Sequence, residues 1–174
     1  LDTHDELATL YAKTFLGVNL SCVSCHDGAG HLEKVNVWLS GRTRSQFFQN
    51  AAFLGHSRYL MYWEHGKPQS GEFLIDDYNP GYDAEGPSMI RVPRSGGASN
   101  PAFILTGEQP KPGREPREEL GRLLTSHPQF ARASVNLFWA RLMGFGIVEP
   151  YDEFDLARLD PRRLPPGWDA QPSH

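Results

Sequence analysis

Apolar positions recur at helical spacing near both ends of the chain, and in the middle β-branched and aromatic residues take over. Leu7, Leu10, Tyr11 and Phe15 follow Thr3 and Glu6, which are spaced as a capping box, and Gly17 is placed to stop the helix they predict. After a turn at Asp27-Gly28-Ala29-Gly30, Leu32, Val35, Trp38 and Leu39 predict a short second helix ending near Gly41. Thr43 and Gln46 repeat the capping-box spacing, and Phe47, Phe48, Ala51 and Ala52 form the apolar stripe of a third helix up to Gly55.

The middle of the chain changes character. Arg58 to Trp63 and Glu72 to Ile75 are rich in aromatic and β-branched residues around Gly66-Lys67-Pro68, which predicts a hairpin, and Met89 to Val92 is a candidate third strand. Asp76 to Glu85 is oxygen-rich but lacks the spacing of an EF-hand loop, so it reads as a solvated acidic turn rather than a calcium site. Pro93 to Pro116 is rich in glycine and proline, a linker or long surface loop with Phe103-Ile104-Leu105 as its apolar anchor.

Helical spacing then returns. Pro116 suits a first helical position before Leu120, Leu123 and Leu124; Pro128 does the same for a longer helix whose stripe is Phe130, Ala131, Val135, Phe138 and Leu142, ended by Gly144. From Asp160 onward, Pro161, Pro165, Pro166 and Gly167 predict a tail running over the surface, and Gln171 to His174 resembles the opening of a further helix, as in a chain cut from something longer. The expected fold is mainly α with a small antiparallel β-hairpin or sheet, an α+β arrangement: a helical segment at 1–57, a small sheet with long loops at 58–115 and a helical pair with its tail at 116–174. These three can pack as one domain.

The chain is 174 residues long, with 17 basic and 21 acidic residues, enough for a real core and without the basic block that nucleic-acid binding calls for. No apolar run approaches membrane-spanning length, and the sequence opens at Leu1 without a charged-then-apolar leader, as expected where a leader has been removed or the chain is an excerpt. Nothing assembles a nucleophile with its base and acid, and no phosphate-binding loop is present.

Both cysteines fall in Cys22-Val23-Ser24-Cys25-His26. That spacing is the one covalent attachment of a c-type haem requires: two thiols add to two vinyl groups, and the adjoining imidazole reaches the iron. Three further chemistries compete for the same residues. A redox dithiol normally follows a buried strand, and Leu16 to Ser21 is too short and polar for one. Zinc, with His31 completing a set with His26, normally needs a dozen or more residues between the cysteine and histidine pairs. A plain disulfide would close only a small loop.

With haem c as the expected cofactor, Cys22 and Cys25 supply the thioethers and His26 the proximal ligand. Met89, Met61 and His56 are the candidate distal ligands, Arg91 and Arg94 match the propionates, and His31 suits a supporting hydrogen bond, a propionate contact or a neighbouring cofactor. Met143 is expected in the core. Such a protein would be a one-electron carrier, docking on a redox partner or sitting in a membrane-associated photosynthetic or respiratory complex. An interaction module with a structural haem or disulfide is the alternative. A haem enzyme with an open iron and His56 or His65 as distal base is the third.

Phe15-Leu16-Gly17-Val18-Asn19-Leu20-Ser21-Cys22-Val23-Ser24-Cys25-His26-Asp27 resembles the end of the first of two neighbouring domains of unknown function. Arg117 to Asp155, around Phe130-Ala131-Arg132-Ala133-Ser134-Val135-Asn136-Leu137-Phe138-Trp139, resembles the start of the second. These are the planctomycete cytochrome-associated domains, found in large secreted proteins of planctomycetes and acidobacteria. The resemblance implies an exported protein with a c-type cytochrome signature and supplies no substrate. The motif itself implies a periplasmic or extracellular location, because haem attachment of this kind takes place on the outer side of the cytoplasmic membrane. The chain departs from the family in being several times shorter than most members and in carrying Gly28 where many have histidine.

Overall fold

The first helix, α1 (Thr3–Tyr11), runs on through a π-helical turn, Ala12–Leu16, before it stops. Gly17 ends it under two demands. Its φ is +62°, and a Cβ there would sit 2.7 Å from the ring of Phe154, so a side chain is excluded by conformation and by contact. The computed structural model describes residues 3–75, 81–83 and 99–170.

A short helix, α2 (Ser21–Cys25), carries the cysteines; α3 (Val37–Ser40) and α4 (Arg44–Ala51) follow. α4 has the predicted capping box: Thr43 Oγ1 accepts from the Gln46 N–H, and Gln46 Oε1 accepts from the Thr43 N–H. α3 is shorter than its apolar spacing predicts. Leu32 and Val35 lie in turns, and the helix starts only where Asn36 caps it by accepting from the Leu39 N–H.

β1 (Ser57–Glu64) and β2 (Lys67–Ile75) pair antiparallel, Ser57 opposite Ile75 and Glu64 opposite Lys67. The turn is His65-Gly66, one step before the predicted Gly66-Lys67-Pro68. Both residues have positive φ, 50° and 73°, the pair a two-residue hairpin of this hand needs. Lys67 and Pro68 already belong to the strand, and the register slips between Tyr62 and Trp63 beside that proline. The candidate third strand, Met89 to Val92, lies outside the described residues, as does most of the acidic turn. Tyr82 of that turn is buried and donates to Asp5 Oδ1 at 2.7 Å.

The carboxy-terminal pair is α5 (Pro116–Ser126) and α6 (Pro128–Met143), each with proline in its first turn. α5 buries Leu120, Leu123 and Leu124 as its spacing predicts. α6 does not follow its predicted stripe: Gln129, Ala133 and Asn136 are buried, whereas Val135, Phe138 and Leu142 are exposed, and so is Met143. The fold is a mixed α+β arrangement of amino-terminal helices, one short antiparallel sheet and a carboxy-terminal helical pair. One core joins the ends, with Leu16, Leu20 and Val23 packed in the same cluster as Phe47, Phe53, Phe103, Leu123 and Phe154. The anchor Phe103-Ile104 enters it as predicted, docked on α4 by the Ile104 N–H to Asn50 Oδ1 and the Ala102 N–H to the Gln49 carbonyl.

Candidate functional site

The cysteine turn is held from below and open above. Leu20 and Val23 are fully buried and fasten α2 to the core, which leaves Cys22 and Cys25, three apart on one helix, free and exposed. Ser24 Oγ donates to the Ser21 carbonyl at 2.7 Å and lies 3.7 Å from Cys25 Sγ. His26 leaves the helix in extended backbone; its Nδ1 donates to the Asp27 carbonyl at 2.7 Å, and its ring packs on His31 with centroids 4.5 Å apart.

The following loop is tied to α4. Asp27 Oδ1 accepts from the Arg44 N–H at 2.7 Å, the Gly28 N–H donates to the Arg42 carbonyl, and Arg44 Nε donates to the Ser24 carbonyl. Gly28 lies against α3 so closely that a Cβ would stand 1.9 Å from the Leu39 carbonyl oxygen. No side chain has room at this position. Glu33 closes the loop by accepting from the Gly30 N–H, which holds its carboxyl below the usual carboxylate range.

From the other end of the chain, Asp155 accepts from the N–H groups of Val37 and Trp38, Asn36 Nδ2 donates to the Phe154 carbonyl, and Gln129 Nε2 donates to the Leu16 carbonyl. Asn36, Gln129, Asn136 and Asp155 are buried polar residues that spacing does not single out. The signal available was chemical: such residues are buried mostly where partners meet them, as Leu16 meets Gln129 Nε2 while Gln129 Oε1 is left without one among the described residues.

The predicted haem ligands are not gathered by this geometry. Met61 is an exposed residue of β1, His56 faces Glu115 at 3.6 Å, His65 is at the exposed hairpin turn, and Met89, Arg91 and Arg94 lie outside the described residues. Among the described residues no group of three or more histidine, cysteine, aspartate and glutamate side chains could hold a metal ion. The expected haem c, and with it the c-type cytochrome signature as an iron-binding site, is corrected on this finding: the residues form an exposed dithiol beside a histidine pair.

A second surface was hidden by the predicted stripe. Ala131, Val135, Phe138 and Leu142 follow one another at steps of four, three and four along the outer face of α6, opposite the buried Ala133 and Asn136. Trp139, Met143 and, past Gly144, Phe145 widen it; Phe138 is 68% exposed, Leu142 83% and Phe145 63%. The charged residues of α6 are Arg132 and Arg141, both basic, each adjoining a residue of the stripe.

No protein-family model, curated protein or solved structure matches the chain.

Proposed function

We propose that the chain is an interaction module of an exported assembly, and that it docks through the outer face of α6 onto an apolar helix with acidic flanks. The observation that carries this is the exposed stripe from Ala131 to Leu142. The inner face of α6 is buried through Gln129, Ala133 and Asn136, and a continuous apolar stripe exposed on the opposite face is the mark of a surface that a partner covers. The four-three-four spacing is that of a helix-pairing seam, so the fitting occupant is another helix. Charge selects its kind: arginines at both edges of the seam would repel a second copy laid along the same face and attract carboxylates.

The export part rests on the resemblance to the planctomycete cytochrome-associated domains. The one-electron carrier role rested on haem c and goes with it. Among the described residues no helix is long and apolar enough to cross a membrane, so the described helices give an association with a membrane complex no span of its own.

Full burial of a large apolar side chain contributes about 1.5–3 kcal/mol, so Phe138 and Leu142 alone account for measurable affinity. The test is calorimetric titration of the full chain with two synthetic heptad peptides, leucine at the seam positions of both and glutamate or lysine at the flanks. Binding of the glutamate peptide alone, weakening with salt, supports the proposal. Equal binding of both peptides, binding of neither, self-association through α6, or binding to anionic phosphatidylserine vesicles in place of the peptide overturns it.

A further inference from the structure

The exposed dithiol at α2 carries a second inference, on residues separate from the docking face. Side chains three apart on an α-helix share a face with Cβ atoms about 5–6 Å apart, and a disulfide brings them to about 3.5–4.5 Å. Loosening the last turn of the helix, where ends fray readily, lets Cys25 swing toward Cys22 and closes the gap. α2 allows this cheaply. It has five residues, it is anchored by Val23 from the opposite side, and it already ends at His26 in extended backbone (φ −151°, ψ 167°). What loosening gives up is the bond from the His26 N–H to the Cys22 carbonyl, long at 3.3 Å.

We infer that Cys22 and Cys25 are a thiol–disulfide exchange site that reacts with external disulfides at the surface. One cysteine thiolate attacks an external disulfide, forms a mixed disulfide and releases one external thiol. The other attacks the cysteine sulfur of that mixed bond, closes Cys22 to Cys25 and releases the second. Two electrons pass from the cysteine sulfurs to the external disulfide, and the two cysteine protons end on the two released thiols. A loop this small constrains the unfolded chain little, so the bond is a redox couple rather than a staple. Closure shifts the backbone of His26 and therefore its ring on His31, which gives the chemistry a second readout.

The test is to incubate the full chain with oxidised glutathione, quench with acid and weigh it. The wild type is expected to lose two hydrogens and retain no glutathione, while Cys22→Ser and Cys25→Ser each hold one glutathione, at least about tenfold more adduct than the wild type. The imidazole proton resonances of His26 and His31 should shift on oxidation of the wild type and return with dithiothreitol. Wild-type chains carrying two glutathiones and no internal bond overturn the inference, as does an adduct bridging both sulfurs that dithiothreitol does not remove.

Discussion

Asn136 and Val148 exchange two hydrogen bonds: Asn136 Oδ1 accepts from the Val148 N–H and Asn136 Nδ2 donates to the Val148 carbonyl, each at 2.9 Å and buried. The side-chain amide thereby stands in for a neighbouring strand and fixes the segment after α6, which leads to Phe154 and Asp155 and so to the cysteine turn. Replacing Asn136 with Ala leaves a buried donor and acceptor unmet and should cost about 2–4 kcal/mol in urea unfolding. Asn136→Asp, which keeps the acceptor and loses the donor, should also destabilise.

Gly28 is expected to tolerate no side chain. Its Cβ position overlaps the Leu39 carbonyl, so Gly28→Ala should lower stability by about 2 kcal/mol or more, whereas Gly41→Ala, whose Cβ would meet the Trp38 carbonyl at an ordinary 3.6 Å, should stay within about 0.5 kcal/mol of wild type. Paired urea melts check this. Equal effects at the two positions would mean the loop does not approach α3 as closely as described.

The stability of the α5–α6 junction should depend on pH through His127. Its Nδ1 accepts from the Gln129 N–H to cap α6, and burial first, then the charge of Arg132, lowers its pKa below the usual 6.5. The unfolded chain therefore binds the proton more readily. The contribution is fully present above about pH 6.5 and is lost as pH falls through the lower folded value. His127→Asn, which can still cap, should remove this part of the pH dependence; thermal melts between pH 7.5 and 5 would read it.

Much of the framework was legible because it is local. The capping box at Thr43, the prolines at the starts of α5 and α6, and the Phe103 anchor are short-range signals, and each lies where its chemistry requires. The hairpin turn was misplaced by one residue because Gly66 works with His65 before it rather than Lys67 after it. α6 misled more deeply. With apolar residues on both faces, its period could not say which face is inward, and the deciding residues were Gln129 and Asn136, whose partners Leu16 and Val148 no spacing rule connects to them. The cysteine pentapeptide was conspicuous, but the positions of Met61 and His56 were a matter of tertiary geometry.

Leu142→Glu should leave the unfolding free energy of the isolated chain within about 0.5 kcal/mol, because the side chain is 83% exposed, while abolishing capture of the glutamate-flanked peptide. Loss of stability comparable to a core substitution would show that the outer face of α6 is packed within the chain.

The most direct measurement of the docking claim is a charge exchange. A chain carrying both Arg132→Glu and Arg141→Glu is titrated with the glutamate-flanked and lysine-flanked peptides under the conditions used for wild type. Reversal of preference, with the lysine peptide now bound and the glutamate peptide rejected, is the predicted result. A preference unchanged by the double substitution would contradict it.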